Sequence, residues 1–223
     1  MNMNETDMDY DQLDPASLDF AGRYKRLAAA VVPRSMELVT SVGRTGLVKA
    51  APFSRFVIIA VDTPLLGIVV GLGLRGEKDK LATTRARGEC VINTVPASLE
   101  HQVQQCAQPY PPEVSEIDAD GLDLASSLRV STPRIRQSRL QFECRFQRLV
   151  EFGVRTSALA VGKVAIVHAV PGLLRGHRAD HAAFDPLGRI GGRRFLPQRP
   201  GDGYLSNPSR AVSSRPCFKW RKS

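Results

Sequence analysis

The chain has 223 residues, 43% hydrophobic and 24% charged, the proportions of a globular protein with one ordinary core rather than of a disordered or fibrous chain. Its longest apolar stretch, Leu65 to Leu74, is broken by glycines and falls short of the roughly 20 residues a membrane-spanning helix needs; residues 1–22 are acidic without a basic start, so a cytoplasmic protein is expected. The net charge of +9 is unevenly placed, −6 over residues 1–22, +7 over 23–188 and +8 over 189–223, so the basic excess reads as a solvated tail and no nucleic-acid partner is expected.

In chain order, Met36 to Val42 predicts a strand, and the Gly43–Gly46 turn returns it as Leu47 to Ala51. Phe56 to Val61 and Gly67 to Leu72 are rich in β-branched residues and separated by Asp62-Thr63-Pro64, which predicts a second hairpin. Asp79 to Arg87 predicts a short helix ended by Gly88, before a strand from Glu89 to Val95. Ala97 to Cys106 has helical composition, and Pro109, Pro111 and Pro112 then impose a loop that runs into the acidic residues 113–120. From Ser138 to Phe152 the pattern alternates, Leu140, Phe142, Cys144 and Phe146 on one face and Arg139, Gln141, Glu143 and Arg145 on the other, which predicts a half-buried strand. Ser157 to His168 is its expected antiparallel partner across a turn at Gly153. Six or seven strands with short turns and two short helices predict a mainly β fold, an antiparallel barrel.

Gly71 to Gly76 matches G-x-G-x-x-G after a strand, but Asn93 and Thr94 stand where a dinucleotide fold needs its ribose-binding acid. The motif reads as a flexible strand end. Cys90, Cys106, Cys144 and Cys217 have neither zinc-ligand spacing nor a disulfide pattern, so Cys90 and Cys144 are expected as buried thiols. His177 and His181 lack a third ligand and read as loop histidines, and His168 reads as a satisfied residue at a strand end.

Five segments carry more. They are PRSMELVTSVGRTGLVKAAPFSRF (33–56), GEKDKLATTRARGECVIN (76–93), PYPPEVSEIDADGL (109–122), TPRIRQSRLQFEC (132–144) and DPLGRIGGRRF (185–195). In this order and spacing the chain resembles the flavin reductase-like family, whose fold is the FMN-binding split barrel, from about Tyr24 to Phe195. The division expected is therefore an acidic flexible N-terminus (1–22), a split-barrel domain (23–195) and a basic disordered tail (196–223).

The resemblance implies a flavin site from Thr40, Ser41, Lys49, Ala50, Ala51 and Ser54, joined by Lys78, Asp79 and Lys80 beside the phosphate. The residues are compatible with that role: hydroxyls and small side chains let a flat ring approach, and a lysine near a helix N-terminus suits a phosphate. Three positions depart from the family pattern, with Lys49 in place of Asn, Lys80 in place of Thr and Thr83 in place of Asn. Those lysines either grip the phosphate by charge or mark a site that no longer holds FMN tightly. The resemblance further implies a homodimer with flavin between subunits, NADH or NADPH as hydride donor, FAD as an alternative flavin substrate, and an acceptor that can be a partner monooxygenase. The alternative is a non-redox, remodelled split-barrel protein. No catalytic side chain, metal or membrane partner is nominated, because the cofactor supplies the hard chemistry.

Overall fold

The computed structural model describes residues 11–43, 45–71, 87–111, 113–153, 157–176 and 178–198. A 3-10 turn at Pro15–Ser17 precedes helix α1 (Phe20–Ala30), and each is capped by an aspartate, Asp14 accepting from the Ala16 N–H and Asp19 from the Gly22 N–H. The sequence reading gave no expectation of α1.

The strands follow as β1 (Arg34–Ser35), β2 (Glu37–Val42), β3 (Val48–Phe53), β4 (Phe56–Ala60), β5 (Leu65–Gly71) and β6 (Glu89–Thr94). A 3-10 turn, Ala97–Leu99, leads into α2 (Glu100–Cys106), and α3 (Glu116–Ala119) forms within the acidic run. The chain continues through β7 (Leu124–Ala125), β8 (Arg134–Ile135), the long pair β9 (Leu140–Phe152) and β10 (Ser157–Ala169), then β11 (Leu174–Arg175), β12 (Arg178–Ala179), α4 (His181–Phe184), β13 (Leu187–Gly191) and β14 (Arg194–Pro197). Among the described residues no helix is long and apolar enough to cross a membrane.

Seven strands form one antiparallel sheet in the order β3-β2-β6-β9-β10-β5-β4. Its two edge strands, β3 and β4, are consecutive in the chain and separated only by Ser54 and Arg55, so the sheet has to curl until its edges approach. The Val69 N–H donates to the Arg55 carbonyl at 2.9 Å and ties that junction to β5. Gly67 permits the tight curl, since a Cβ there would lie 2.8 Å from Leu159 Cδ1 and 2.9 Å from Ile59 Cδ1. A separate three-stranded sheet, β1-β13-β14, closes one end.

The curled sheet divides the core in two. Inside it lie Val39, Ile68, Val70, Cys90, Ile92 and Cys144; outside it Leu38, Ala50, Val95, Val103, Ile117 and Ile135 pack under α2, α3 and β8. Strand β2 contributes to both and is buried along its whole length, Leu38 facing one core and Val39 the other. Each such buried aliphatic side chain contributes about 1.5–3 kcal/mol by leaving water.

Strand β9 is half-buried as its alternation predicts, with Arg145 exposed, but two residues of its polar face are covered. Gln141 and Glu143 are buried, because each finds a full set of partners. Gln141 Nε2 donates to the carbonyls of Ile135 and Ser138 at 2.7 and 3.0 Å, and its Oε1 accepts from Arg134 Nη1 at 2.7 Å. A polar side chain with every group bonded can be buried at little cost, so this part of the face, Gln141 and Glu143, is polar but dry.

Candidate functional site

The residues singled out in the sequence fall into three environments. Thr40 and Ala50 point away from the barrel interior and are covered by protein. The Thr40 hydroxyl donates to the Pro133 carbonyl at 2.7 Å, and the Ala50 N–H donates to Glu116 Oε2 at 3.3 Å. Ser41, Lys49 and Ala51 line the barrel interior, where a cavity of about 50 Å³ remains, too small for a tricyclic ring. Lys49 runs its stem along that cavity while its Nζ donates to the carbonyls of Pro111, at 3.3 Å, and Val114. Ser54 is half-exposed in the link between β3 and β4. Lys78, Asp79, Lys80 and Thr83 lie outside the described residues, as do His177, Cys217 and most of the Gly71–Gly76 motif.

The interior thiols are inert. Burial, with a smaller effect of Glu89, pushes Cys90 up to about 12, and burial likewise raises Cys144 well above the ordinary thiol range. Asn93 has a structural role, its Nδ2 donating to the Leu38 carbonyl and its Oδ1 accepting from the Ile135 N–H, both at 2.9 Å.

The large concavity is lined by Arg55, the residue after Ser54 in the chain. A cleft of about 750 Å³ opens between α1, Arg55, the Gly71 end of β5 and the β13–β14 hairpin, within the roughly 300–1,000 Å³ range of ligand pockets. Its walls carry Arg34, Arg55, Arg189, Arg193 and Arg194, with Phe20 and Tyr24 from α1. The sequence reading missed this cluster. It assigned the charge of residues 189–223 to a solvated tail, whereas Arg189, Arg193 and Arg194 sit on an ordered hairpin facing the cleft. The segment 185–195 carried the signal, but nothing local in it shows that β13 pairs with β1 and so brings Arg189 to Arg34.

The electrostatics are one-sided. No Asp or Glu lies among the described residues lining the cleft. The guanidinium of Arg34 donates to the Ala28 and Val31 carbonyls, and Arg189 donates to the Gly192 carbonyl through Nε at 3.0 Å and Nη2 at 2.8 Å. Carbonyls orient these cations without neutralising them. Burial, followed by the neighbouring Arg189 charge and, more weakly, Arg55, lowers Arg34 from the usual arginine value, Tyr24 opposing. A cradle of oriented, uncompensated guanidinia with two aromatic side chains suits an aromatic ligand bearing phosphate.

On the opposite side of the sheet a second polar centre is filled by protein. Glu143 Oε1 accepts from the Leu128 N–H at 2.8 Å, and its Oε2 from the N–H groups of Arg129 and Val130 at 2.6 and 3.1 Å. His168 Nε2 approaches Oε1 at 2.6 Å, as a diagonal neighbour two residues beyond Ile166, which stands opposite Glu143. Burial pushes the Glu143 carboxyl up, but the backbone N–H groups and His168 outweigh it and leave it below the usual carboxylate range. His168 is thus a satisfied strand residue, as its sequence context suggested.

A family model described as the flavin reductase like domain matches residues 29–182. The chain belongs to the flavin reductase-like family. An uncharacterized protein of Halalkalibacterium halodurans is 31% identical over 189 residues, covering 82% of this chain and 90% of its own. Among solved structures, nitrilotriacetate monooxygenase component B from Bacillus cereus superposes with a TM-score of 0.81 at 26% identity, covering 87% of this chain and 98% of its own. The 2-nitrobenzoate 2-nitroreductase of Pseudomonas fluorescens gives a TM-score of 0.78 at 26% identity, covering 92% and 100%. The curled sheet is the split barrel of this family, mainly antiparallel β with few short helices.

Proposed function

We propose that this flavin reductase-like domain binds FMN in the arginine-lined cleft and passes hydride equivalents from NADH or NADPH to an acceptor, which includes free flavin, FAD among them, or a partner monooxygenase. The cleft itself carries the reading: about 750 Å³, two aromatic side chains, and cations without a facing carboxylate among the described residues, one of them Arg55, which follows Ser54 in the chain. The names of the similar structures, a monooxygenase component and a nitroreductase, are in keeping with redox work on this fold.

FMN held in the cleft would supply a two-electron carrier between the nicotinamide donor and the acceptor. The chain's own residues bind and orient. In this reading Ser54 and Arg55 border the ring and phosphate, with Lys78, Asp79 and Lys80 completing the phosphate contact. Thr40, Ser41, Lys49, Ala50 and Ala51, which the resemblance assigned to the flavin, are not among the residues lining this cleft. Lys49 keeps its ammonium on the Pro111 and Val114 carbonyls rather than on phosphate, which is the observation that favours the second reading, a remodelled split barrel that has lost tight FMN binding.

Homodimerisation fits the exposed apolar surface. The edge strand β4 presents Val57, Ile58 (66% exposed) and Ile59, followed by Val61 (82%), and α1 exposes Phe20 and Leu27, with Val31 just past its end. A sheet edge of this kind invites a second chain.

The deciding experiment mixes purified protein with FMN, desalts it and records the visible spectrum and the oxidation of NADH and NADPH. A yellow protein that consumes either nucleotide, and that loses its colour in Ser54→Trp, is the expected result. A colourless, inactive wild type establishes the second reading, and unchanged FMN retention by Ser54→Trp moves the flavin elsewhere.

A further inference from the structure

The cleft holds more positive charge than FMN needs. Lys25, Arg34, Arg55, Arg189, Arg193 and Arg194 give it six cations, whereas a phosphate monoester carries a charge of about −2 at neutral pH. The arrangement is as telling as the number. Arg34 and Arg189 are direct cross-strand partners where β1 pairs with β13, a placement in which like charges oppose folding. Both guanidinia are nevertheless fixed in position by backbone carbonyls. Local choices that work against stability concentrate where a ligand later compensates for them. An anion bridging two guanidinia is such a ligand, and arginine's planar fork matches phosphate oxygens two at a time.

Arg193 and Arg194 extend the pair along the turn of the β13–β14 hairpin and are exposed. They therefore add charge at the rim of the cleft, on the hairpin whose β13 pairs with β1 and carries Arg189 opposite Arg34. We propose that Arg34 and Arg189, with Arg193 and Arg194 at the rim, form a second phosphate-recognition site that takes the hydride donor and selects the 2′-phosphorylated dinucleotide, NADPH, over NADH. This assignment rests on the flavin-reductase reading and adds to it the choice of donor. After the FMN monoester offsets about two of the six cationic charges, about four remain; the pyrophosphate of either dinucleotide offsets about two of these, and the additional monoester of NADPH offsets the other two. NADH leaves part of the arginine cluster uncompensated.

The test uses the full chain with NADP⁺ and NAD⁺ as probes, titrated by calorimetry, and the visible spectrum of the same preparation after FMN loading. Wild type is expected to bind NADP⁺ at least about tenfold more tightly than NAD⁺, the effect of one additional charge-assisted phosphate contact. Arg193→Ala with Arg194→Ala, at exposed positions away from the core, should reduce that ratio to within about threefold by weakening NADP⁺ alone. In turnover the change should appear in KM for NADPH rather than in kcat. Arg189→Gln should weaken NADP⁺ and raise the melting temperature of the ligand-free protein, because the opposed charges are relieved.

A wild type that retains FMN yet binds the two dinucleotides equally overturns this inference and leaves the flavin reading standing. A wild type that discriminates by tenfold but retains no FMN upholds the second phosphate site and removes the flavin reading. Loss of FMN retention in the double variant assigns these arginines to the flavin phosphate and overturns the proposal.

Discussion

Replacing Glu143 with glutamine separates a structural centre from a functional one. The carboxylate is fully buried and receives three backbone N–H groups from Leu128, Arg129 and Val130 as well as His168. An amide of the same shape keeps one oxygen and turns the other into a donor. With the NH₂ at the Oε2 position, the Arg129 and Val130 N–H groups lose their acceptor; flipped, it confronts Leu128 and His168 instead. Each buried donor left without a partner costs about 1–3 kcal/mol, so Glu143→Gln should destabilise the fold by about 3–5 kcal/mol, a large part of the roughly 5–15 kcal/mol typical of a domain. Urea unfolding at pH 7 should show a lower midpoint at unchanged slope, and the melting temperature should fall by about 6–20 °C. The pH dependence supplies an internal check. Because the folded carboxyl titrates below its unfolded value, its contribution is present above the unfolded pKa of about 4.3 and lost as the pH falls through the folded pKa. The gap between wild type and variant should therefore narrow in acid. A difference at pH 7 smaller than about 1 kcal/mol would refute the view that this carboxylate holds the loop of residues 128–130.

Glu37 behaves in the opposite sense. Its Oε2 is buried without a partner, and burial, opposed only by the Ser35 hydrogen bond, raises the carboxyl well above its ordinary value. The protonated form is thus favoured on folding, so its stability is complete below the unfolded pKa and is lost as the pH rises. Glu37→Gln should be more stable than wild type at pH 8 by about 1–3 kcal/mol and indistinguishable near pH 4; a variant less stable at pH 8 would show that the group is ionised and paired. At the β4 edge, Ile58→Asp should convert the expected dimer to monomer in light-scattering measurements with the far-UV spectrum preserved, and an unchanged mass would place the subunit interface elsewhere.

The seven strands of the main sheet were legible because their signals are local. β-Branched runs, a hairpin turn at Gly46 with φ 85° and the length of β9 and β10 all lie within a few residues of the structure they specify. Three features were not legible, for different reasons. Helix α1 buries none of its residues, so the core does not call for it, although Phe20, Tyr24 and Leu27 recur at helical spacing behind the Asp19 cap. The burial of Glu143 depends on N–H groups 13 to 15 residues earlier, and alternation sorts apolar from polar residues without registering that a polar one has been fully bonded. The site was divided by the two-sided burial of β2: Thr40 and Ser41 are neighbours in sequence, yet one points at the Pro133 carbonyl and the other into the barrel.

The arginine cleft shows why net charge was a poor guide. A count over residues 189–223 treats nine bases as one segment, and nothing in that count distinguishes Arg189, fixed opposite Arg34 by strand pairing, from the tail beyond residue 198. Solvated cations on a tail separate freely and repel one another little. Cations fixed on neighbouring strands cannot separate, so their repulsion persists in the folded state until a counter-charge arrives. Among the described residues, the charges that oppose folding are therefore the ones placed at the mouth of a cavity large enough to admit a nucleotide.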